Sequence, residues 1–402
     1  MFAPLQRIST PAKWFRQLVI ICTLLLTINT SHAQVVYLDT PDFPTLQDQA
    51  RATGKNIMLL CCTEWCGPCK TIKNDYFRDT AVGRFINSRY VVGYYDMEKE
   101  PGITLAKKYG ITGYPTLVYL TPGFDFIYSF AGAPYSTAGM IGLAGNAEKA
   151  QKNQFPGISN VINLPFPDFY NHYFEEKKKT KVPVDTVEAY LGKQNNLFSE
   201  VNWRVMQAMD YGPRYDSFFI DNYKEYFKLY STEARQKAFR TINNSLKEIG
   251  QTKDRARMQY LVSFMKELKL SENDILQKKI FFYGKSGLDW DLYLQMVDTA
   301  VKKYKSNFLV FSSDAVVNPS FPAKASKAFL KLIDSALSKE TNKTQLAWLY
   351  VNKALLLEKA RLTAQAEELY EKAIALYPED LRKDLVWTIG NSRKELQDGL
   401  AK

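Results

Sequence analysis

The chain of 402 residues is long enough for two or three domains, and its 46% hydrophobic and 24% charged residues are typical of globular proteins. Its formal net charge of +11 does not indicate nucleic-acid binding, because the basic residues are spread along predicted helices and no nucleic-acid-binding motif occurs. The only histidines are His32 and His172, which excludes histidine-rich catalytic zinc sites and leaves little basis for a Ser/His/Asp triad.

The first 33 residues have the composition of a secretory signal peptide. Three basic residues precede the apolar run 18–28, and the small residues Ser31 and Ala33 predict cleavage after Ala33. The alternative, a retained membrane anchor, is disfavoured because this run is short for a bilayer span, and no later run is long enough. We therefore predict a secreted protein of the bacterial periplasm, with no membrane span after cleavage.

Strand and helix patterns alternate in the first part of the chain. Residues 43–54 predict a helix that ends at a glycine. Residues 56–62 are nearly all apolar, which is typical of a central parallel strand buried on both faces. The alternation predicts an α/β domain over residues 34–150. Further strand patterns, of which the last two predict a hairpin, occur at 35–38, 89–96, 115–120 and 126–130.

Strand patterns fade after about residue 156. Residues 151–185, which contain a run of lysines, are interpreted as a solvated linker rather than as a patch for an acidic surface. In residues 186–402, apolar residues recur at helical spacing, which predicts an all-helical domain packed through these apolar stripes.

Residues 347–378 predict two helices joined by a short turn. Ala366, Tyr370, Ala373 and Pro378 stand in the spacing A-x3-Y-x2-A-x4-P, which resembles one tetratricopeptide repeat. A single repeat cannot bury its own faces, so it is expected to pack on the preceding helices. It forms either a peptide-binding groove for a protein partner or a structural helical hairpin, and the hairpin is favoured.

Four of the five cysteines lie within nine residues, in the segment CCTEWCGPC at 61–69. Cysteines that staple a secreted fold would be spread along the chain, so this concentration indicates chemistry at one place. Neighbouring residues on a strand point to opposite faces, so Cys61 and Cys62 cannot both face Cys66. We interpret them as buried free thiols, and the alternatives are a four-cysteine zinc site and a resolving role for Cys62.

Cys66 follows an apolar strand and opens a predicted helix. The unpaired backbone N–H groups and the dipole at a helix N-terminus stabilise a thiolate there. In such CxxC settings the thiol pKa falls from about 8.5 to about 7 or lower. Cys66 can then attack a substrate disulfide, and Cys69, one turn further along, can attack Cys66 to release the reduced substrate.

The segment YFRDTAVGRFIN at 76–87 resembles the secreted and periplasmic branch of the thioredoxin family, and two motifs resemble the family as a whole. They are WCGPC, which contains Cys66 and Cys69, and GITGYPTLVYL, which contains Pro115. The resemblance implies a thioredoxin fold over residues 34–150, a redox-active Cys66–Cys69 disulfide and a cis peptide bond before Pro115. It also implies that the backbone of Tyr114 pairs with an extended substrate segment. The implied substrate surface comprises Trp65, Gly67, Pro68, Tyr114 and Pro115.

One position departs from the family pattern. Thioredoxins keep a buried aspartate six residues before the first cysteine, as a proton acceptor for the second thiol, and this chain has Leu60 there. The lysine that accompanies this aspartate also has no clear match. Deprotonation of Cys69 is therefore expected to be slower, or to use water or Glu64.

The function expected from these features is a secreted thiol–disulfide oxidoreductase that reduces protein disulfides, because Gly67 and Pro68 between the cysteines resemble reducing family members. No cofactor and no metal are expected. The expected partners are a disulfide-containing protein or peptide and an electron donor outside the cytosol. Two alternatives remain: a binding scaffold with little redox turnover, whose helical half grips a partner, and a disulfide oxidase or isomerase.

Overall fold

The computed structural model describes residues 34–150, 155–176, 179–304 and 313–400. They form two units, which divide between Ala234 and Arg235. The predicted signal peptide, residues 1–33, lies outside the described residues. Over the described ranges, every helix is too short or too polar to cross a bilayer.

A five-stranded sheet in the first unit is built from β1 (Tyr37–Asp39), β2 (Asn56–Cys62), β3 (Tyr90–Asp96), β4 (Thr116–Leu120) and β5 (Phe126–Ala131). The strand order is β1-β3-β2-β4-β5. The first three of these run parallel, whereas β4 is antiparallel to β2 and β5 is antiparallel to β4. The predicted α/β architecture and the predicted hairpin are confirmed.

The helices around this sheet are α1 (Phe43–Thr53), α2 (Gly67–Thr71), α3 (Thr80–Asn87), α4 (Gly102–Tyr109) and α5 (Thr137–Ala150). α2 continues into a π-helical turn over Ile72–Tyr76. The predicted end of α1 at a glycine is confirmed, since Gly54 has φ +65° and donates its N–H to the carbonyls of Ala50 and Arg51. Glycine adopts this left-handed conformation without a steric penalty.

β2 lies in the middle of the sheet and is buried on both faces, as its apolar sequence predicts. Leu60 and Cys62 point to one face, where they join Cys66, Cys69 and side chains of α2, α3 and α5 in a buried group that we name the β2–α2 cluster. Cys61 points to the opposite face. Each fully buried leucine of β2 contributes about 1.5–3 kcal/mol to the free energy of unfolding. β2 is therefore a stable strand, and the turn that leads to Cys66 begins at its end.

Helical structure continues in the first unit with α6 (Asp168–Glu175), α7 (Val184–Leu191), α8 (Glu200–Ala208), α9 (Pro213–Asp221) and the beginning of α10 (Tyr223–Thr252), of which residues 235–252 belong to the second unit. α6 packs on α4, where the hydroxyl of Tyr170 donates to the carbonyl of Lys107 (2.8 Å). α10 is interrupted at Ser231 (φ +44°, ψ −117°), shortly before the division between the units. The domain boundary at residue 150 and the linker at 151–185 stay predictions.

The second unit is all-helical in its described residues, which confirms the predicted class of this region. Beyond α10 it contains α11 (Arg255–Glu267), α12 (Glu272–Ser286), α13 (Trp290–Tyr304), α14 (Ser313–Val317), α15 (Ala323–Leu337), α16 (Lys343–Lys359), α17 (Thr363–Leu376) and α18 (Arg382–Leu400). α16 and α17 pack closely through the fully buried Ala354 and Ala366. They correspond to the two helices predicted within 347–378, and their resemblance to a tetratricopeptide repeat stays a prediction.

Candidate active site

Cys66 and Cys69 are joined in a disulfide with a Cα–Cα separation of 5.3 Å. Cys66 is the N-cap of α2, where its sulfur accepts the backbone N–H of Cys69 (3.2 Å). Both residues are 3% exposed. After reduction, the same N–H group and the helix dipole would stabilise a negative charge on Cys66 Sγ.

The turn between β2 and α2 holds the first of these cysteines at the edge of the sheet. β2 ends at Cys62, whose carbonyl accepts the N–H of Met97 (2.8 Å). A tight turn comes next, closed by the hydrogen bond from the N–H of Cys66 to the carbonyl of Thr63 (3.2 Å). Pro68 occupies the first turn of α2, where its missing N–H leaves no helical hydrogen bond unmade.

Trp65 and Tyr114 form an aromatic rim next to the disulfide. Trp65 is 67% exposed, and its indole N–H donates to Glu98 Oε1 (2.9 Å). Its ring meets that of Tyr114 edge-on, with the ring centroids 5.9 Å apart. Gly67, between the two cysteines, is exposed and has open space beside its Cα. Trp65 therefore exposes a large aromatic surface at the residue that directly precedes Cys66.

Pro115 follows a cis peptide bond, as the resemblance implies. It directly precedes β4, whose first residue, Thr116, pairs with Cys61 of β2. This register brings the loop before β4 to the end of β2 from which the CxxC turn departs. The fold thus brings into one area the residues predicted for the site, while their individual roles stay predictions: Trp65, Cys66, Gly67, Pro68, Cys69, Tyr114 and Pro115.

Leu60, at the position of the usual aspartate, and Glu64, the alternative proton acceptor for Cys69, lie in different surroundings. Leu60 is fully buried in the β2–α2 cluster, so this position offers no acid. Glu64 is 74% exposed and forms an ion pair with Lys99, which also contacts Asp96 (3.2 Å). Hydrogen bonds to Glu64 and Asp96 raise the pKa of Lys99. Glu64 is therefore engaged on the solvent side, whereas Cys69 faces the interior.

Cys61 and Cys62 are buried free thiols, as predicted. Burial raises the pKa of Cys62 to about 12 and the pKa of Cys61 well above its usual range. Both are therefore protonated at neutral pH, and because the thiolate is the nucleophile, this argues against a resolving role for Cys62. Among the described residues, no group of three or more His, Cys, Asp and Glu side chains is placed to hold a metal ion.

Sequence reasoning missed two side chains near the site, Glu98 and Lys73. Lys73 Nζ lies 4.4 Å from the ring centroid of Tyr94 and 5.3 Å from that of Tyr37. The spacing of four residues between Cys69 and Lys73 could have indicated a shared helical face. Nothing in the sequence indicates the indole hydrogen bond of Glu98, since it joins two separate loops.

Comparison with known proteins supports the fold around the disulfide. Residues 43–132 match the family model described as a thioredoxin-like domain. This region is a thioredoxin-like domain. The match includes the disulfide, the cis peptide bond and most of the sheet, so it covers every residue predicted for the site.

Relatives of the thioredoxin-like domain include proteins named for disulfide chemistry. "Probable protein disulfide-isomerase A4" of Caenorhabditis elegans is 27% identical over 128 residues, which are 32% of this chain and 19%, about a fifth, of that protein. A candidate disulphide-isomerase from Bacteroides thetaiotaomicron, solved in solution, is 29% identical, with 29% of this chain and 94% of that chain covered and a TM-score of 0.27. A chain from the complex of ferredoxin:thioredoxin reductase with thioredoxin f2 is 23% identical, with 29% and 96% covered and a TM-score of 0.23. Together with the Cys66–Cys69 pair, the thioredoxin-like domain supports a protein-disulfide oxidoreductase.

Proposed function

We propose that this protein is a secreted thiol–disulfide oxidoreductase that reduces disulfides in substrate proteins. The observation that carries the proposal is the Cys66–Cys69 disulfide, with Cys66 Sγ at the start of α2 in a thioredoxin-like domain. A disulfide between cysteines three residues apart closes too short a loop to restrict the unfolded chain much. A redox role therefore explains this bond better than a structural one.

The proposed cycle starts from the reduced pair. The Cys66 thiolate attacks one sulfur of a substrate disulfide, so that a mixed disulfide forms and the other substrate sulfur leaves as a thiolate. The Cys69 thiol then loses its proton and attacks Cys66 Sγ. The Cys66–Cys69 bond forms, and the second substrate sulfur leaves as a thiolate. A dithiol donor finally returns two electrons and two protons to the enzyme.

Substrate binding is proposed at the aromatic rim and the loop before β4. Trp65 offers exposed ring surface next to the reacting sulfur, and aromatic side chains are enriched where proteins bind polypeptides. The backbone of Tyr114, before the cis bond to Pro115, would pair with an extended substrate segment. The small exposed surface of Gly67 and Pro68 leaves room for the substrate disulfide to approach.

The proposed compartment and partners rest on sequence features. The predicted signal peptide supports export, and the resemblance to periplasmic thioredoxin-like proteins supports the bacterial periplasm as the location. Reduction there requires an electron donor outside the cytosol. The helical region, with the tetratricopeptide-like hairpin of α16 and α17, would recruit or orient a protein partner.

Disulfide isomerisation is the second candidate, favoured by the name of the Caenorhabditis elegans relative of the thioredoxin-like domain. The reduction potential of the Cys66–Cys69 couple separates the two activities. A value near about −270 mV, as in thioredoxin, supports reduction, whereas a value near about −180 mV supports isomerisation.

Turnover of a protein substrate with one disulfide, with dithiothreitol as donor, tests the proposal. The wild type is expected to accelerate reduction, and Cys66→Ser is expected to return the rate to the uncatalysed background because the nucleophile is lost. Cys61→Ala is the matched control, since it removes a thiol on the opposite face of β2 and is expected to keep the wild-type rate. Equal rates for the wild type and Cys66→Ser would refute the proposal.

A further inference from the structure

The resolving step of the proposed function needs a thiolate at Cys69, and a residue that assists this step has a role only if the proposed function holds. Burial disfavours the charged form of a thiol unless an acceptor or a positive charge lies nearby. Leu60 provides no acid in the β2–α2 cluster, and Glu64 is paired with Lys99 at the surface. A positive charge on the interior side of the helix would therefore favour the Cys69 thiolate and speed this step.

Lys73 stands one turn beyond Cys69 on the same helical segment. α2 and the π-helical turn Ile72–Tyr76 are continuous, so Lys73 follows Cys69 by about one turn of the same segment. Short π-helical turns are frequent at functional sites. Cys69 is buried and Lys73 is half-buried, so both lie on the inner side of this segment.

Two tyrosine rings hold the Lys73 ammonium at the edge of the β2–α2 cluster. The rings of Tyr94 and Tyr37, over which Nζ lies at 4.4 and 5.3 Å, pack against this cluster. Aromatic faces attract a cation without neutralising its charge. Among the described residues, no carboxylate lies within ion-pair distance of Lys73 Nζ. The ammonium therefore forms no ion pair within the described part of the chain, and its charge acts on Cys62, which lies in the same cluster as Cys69.

The neighbouring charges do not cancel this effect. The titratable groups around Lys73 on the adjoining strands are Tyr37 and Asp39 of β1, Cys62 of β2, and Tyr94 and Asp96 of β3. Burial dominates the raised pKa of Cys62, with Lys73 acting to lower it and Asp96 to raise it. The Asp96 carboxylate is itself engaged by Lys99 (3.2 Å) and by the N–H of Glu98 (3.1 Å). Compared with the Asp96 carboxylate, the Lys73 ammonium therefore has fewer compensating partners.

We propose that Lys73 is a positioning residue for the resolving step, in which its ammonium stabilises the Cys69 thiolate that attacks Cys66. The thiol proton of Cys69 passes to water, the Cys69–Cys66 bond forms, and the bond from Cys66 to the substrate breaks as the substrate sulfur leaves with the electron pair. Lys73 takes no part in the proton transfer. Its contribution is a fixed charge, present before the reaction begins.

The test compares Lys73→Gln with Lys73→Arg and Lys70→Gln. Lys70 is exposed and adjacent to Cys69, so Lys70→Gln removes the same charge on the solvent side. Each reduced protein is mixed with a substrate that contains one disulfide, and the mixed disulfide and the oxidised enzyme are followed by acid quenching and mass spectrometry. NMR of labelled cysteine Cβ atoms in the reduced protein follows the titration of Cys69 without substrate.

We expect Lys73→Gln to slow the resolving step about tenfold at neutral pH, and to move the Cys69 titration to higher pH. Lys73→Arg is expected to retain the wild-type rate and titration, and Lys70→Gln to change the rate by less than about twofold. An unchanged Cys69 titration in Lys73→Gln, or a change that Lys73→Arg does not restore, overturns the inference. A shifted titration in a protein that forms no mixed disulfide shows that Lys73 stabilises the Cys69 thiolate but refutes the proposed function, and with it the role of Lys73 in resolution.

Discussion

At the scale of single residues, four neighbouring cysteines differ because their environments differ. Cys66 meets a free N–H group at the start of α2 and is joined to Cys69. Cys61 and Cys62 lie on β2, where burial keeps both thiols protonated at neutral pH. Reactivity is therefore expected at the helix start, where the N–H of Cys69 and the helix dipole stabilise a negative charge on Cys66.

The free energy of unfolding should depend on pH because the Cys62 thiol is buried. The pKa of the Cys62 thiol is raised from about 8.5 in an unfolded chain to about 12 in the folded protein. The stability that comes from burying the protonated thiol is therefore fully present below about pH 8.5 and is lost as the pH rises towards 12. Cys62→Ala removes this titration and costs about 1–2 kcal/mol at neutral pH through the cavity it leaves. The difference in the free energy of unfolding between the wild type and Cys62→Ala, measured with urea, should therefore shrink towards about pH 10. Parallel pH profiles would contradict this account.

The reactive pair could be predicted from the sequence because its chemistry depends on local features, the spacing of Cys66 and Cys69 and the helix that begins there. The placement of Lys73 could not be predicted. Tyr37 and Tyr94, over whose rings its ammonium lies, belong to two strands that are far apart in sequence and adjacent only in the sheet.

At the scale of elements, buried ion pairs connect α4 with the helices that follow the sheet. Lys108 of α4 and Glu200 of α8 pair at 2.6 Å, with side chains 0% and 9% exposed, and Ser159 hydrogen-bonds to both. Arg204 of α8 pairs with Glu233 of α10 at 2.8 Å. The first pair holds α8 against α4, the helix that leads into the loop before β4, and the second holds α8 against α10.

Removal of one partner of the first pair should be costly. Lys108→Met leaves Glu200 buried without its cation, and we expect a loss of about 3–5 kcal/mol in the free energy of unfolding. The double variant Lys108→Met/Glu200→Leu should recover more than half of this loss, because it leaves no buried charge. Urea titration measures all three proteins. Lys181→Met, which breaks the exposed pair with Asp210, is the control and should stay near the wild type. A small loss in Lys108→Met would contradict the account.

Most elements around the disulfide could be predicted because their patterns are local. β2 is a continuous apolar run, and α1 ends at a glycine. α6 lies within the predicted linker 151–185, and its eight residues stand beside a run of charges. It is helical because Tyr170 and Phe174 are buried and Tyr170 bonds to α4. Such a tertiary contact is not visible in a sequence pattern.

At the scale of the whole molecule, the thioredoxin-like domain and the helices up to Ala234 form one unit, and the described residues from Arg235 onward form another. The helical class of the second unit could be predicted from apolar periodicity. The position of the division could not, because it depends on contacts between distant residues, such as that of Lys108 with Glu200. The proposed redox chemistry requires only side chains of the first unit.

The most direct test of the central claim is capture of the mixed disulfide. In Cys69→Ser, the thiol that resolves the intermediate is absent, so a covalent complex with a substrate protein should accumulate through Cys66. Cys66→Ser/Cys69→Ser is the matched control and should form none, because Cys61 and Cys62 are buried and protonated at neutral pH.

The measurement is intact-mass analysis of the reduced variants after incubation with a protein that contains one disulfide. The account predicts a complex of one enzyme and one substrate molecule for Cys69→Ser, which dithiothreitol dissolves, and no complex for the double variant. Absence of the complex from Cys69→Ser, or its equal formation by the double variant, would contradict the claim that Cys66 is the nucleophile of a disulfide oxidoreductase.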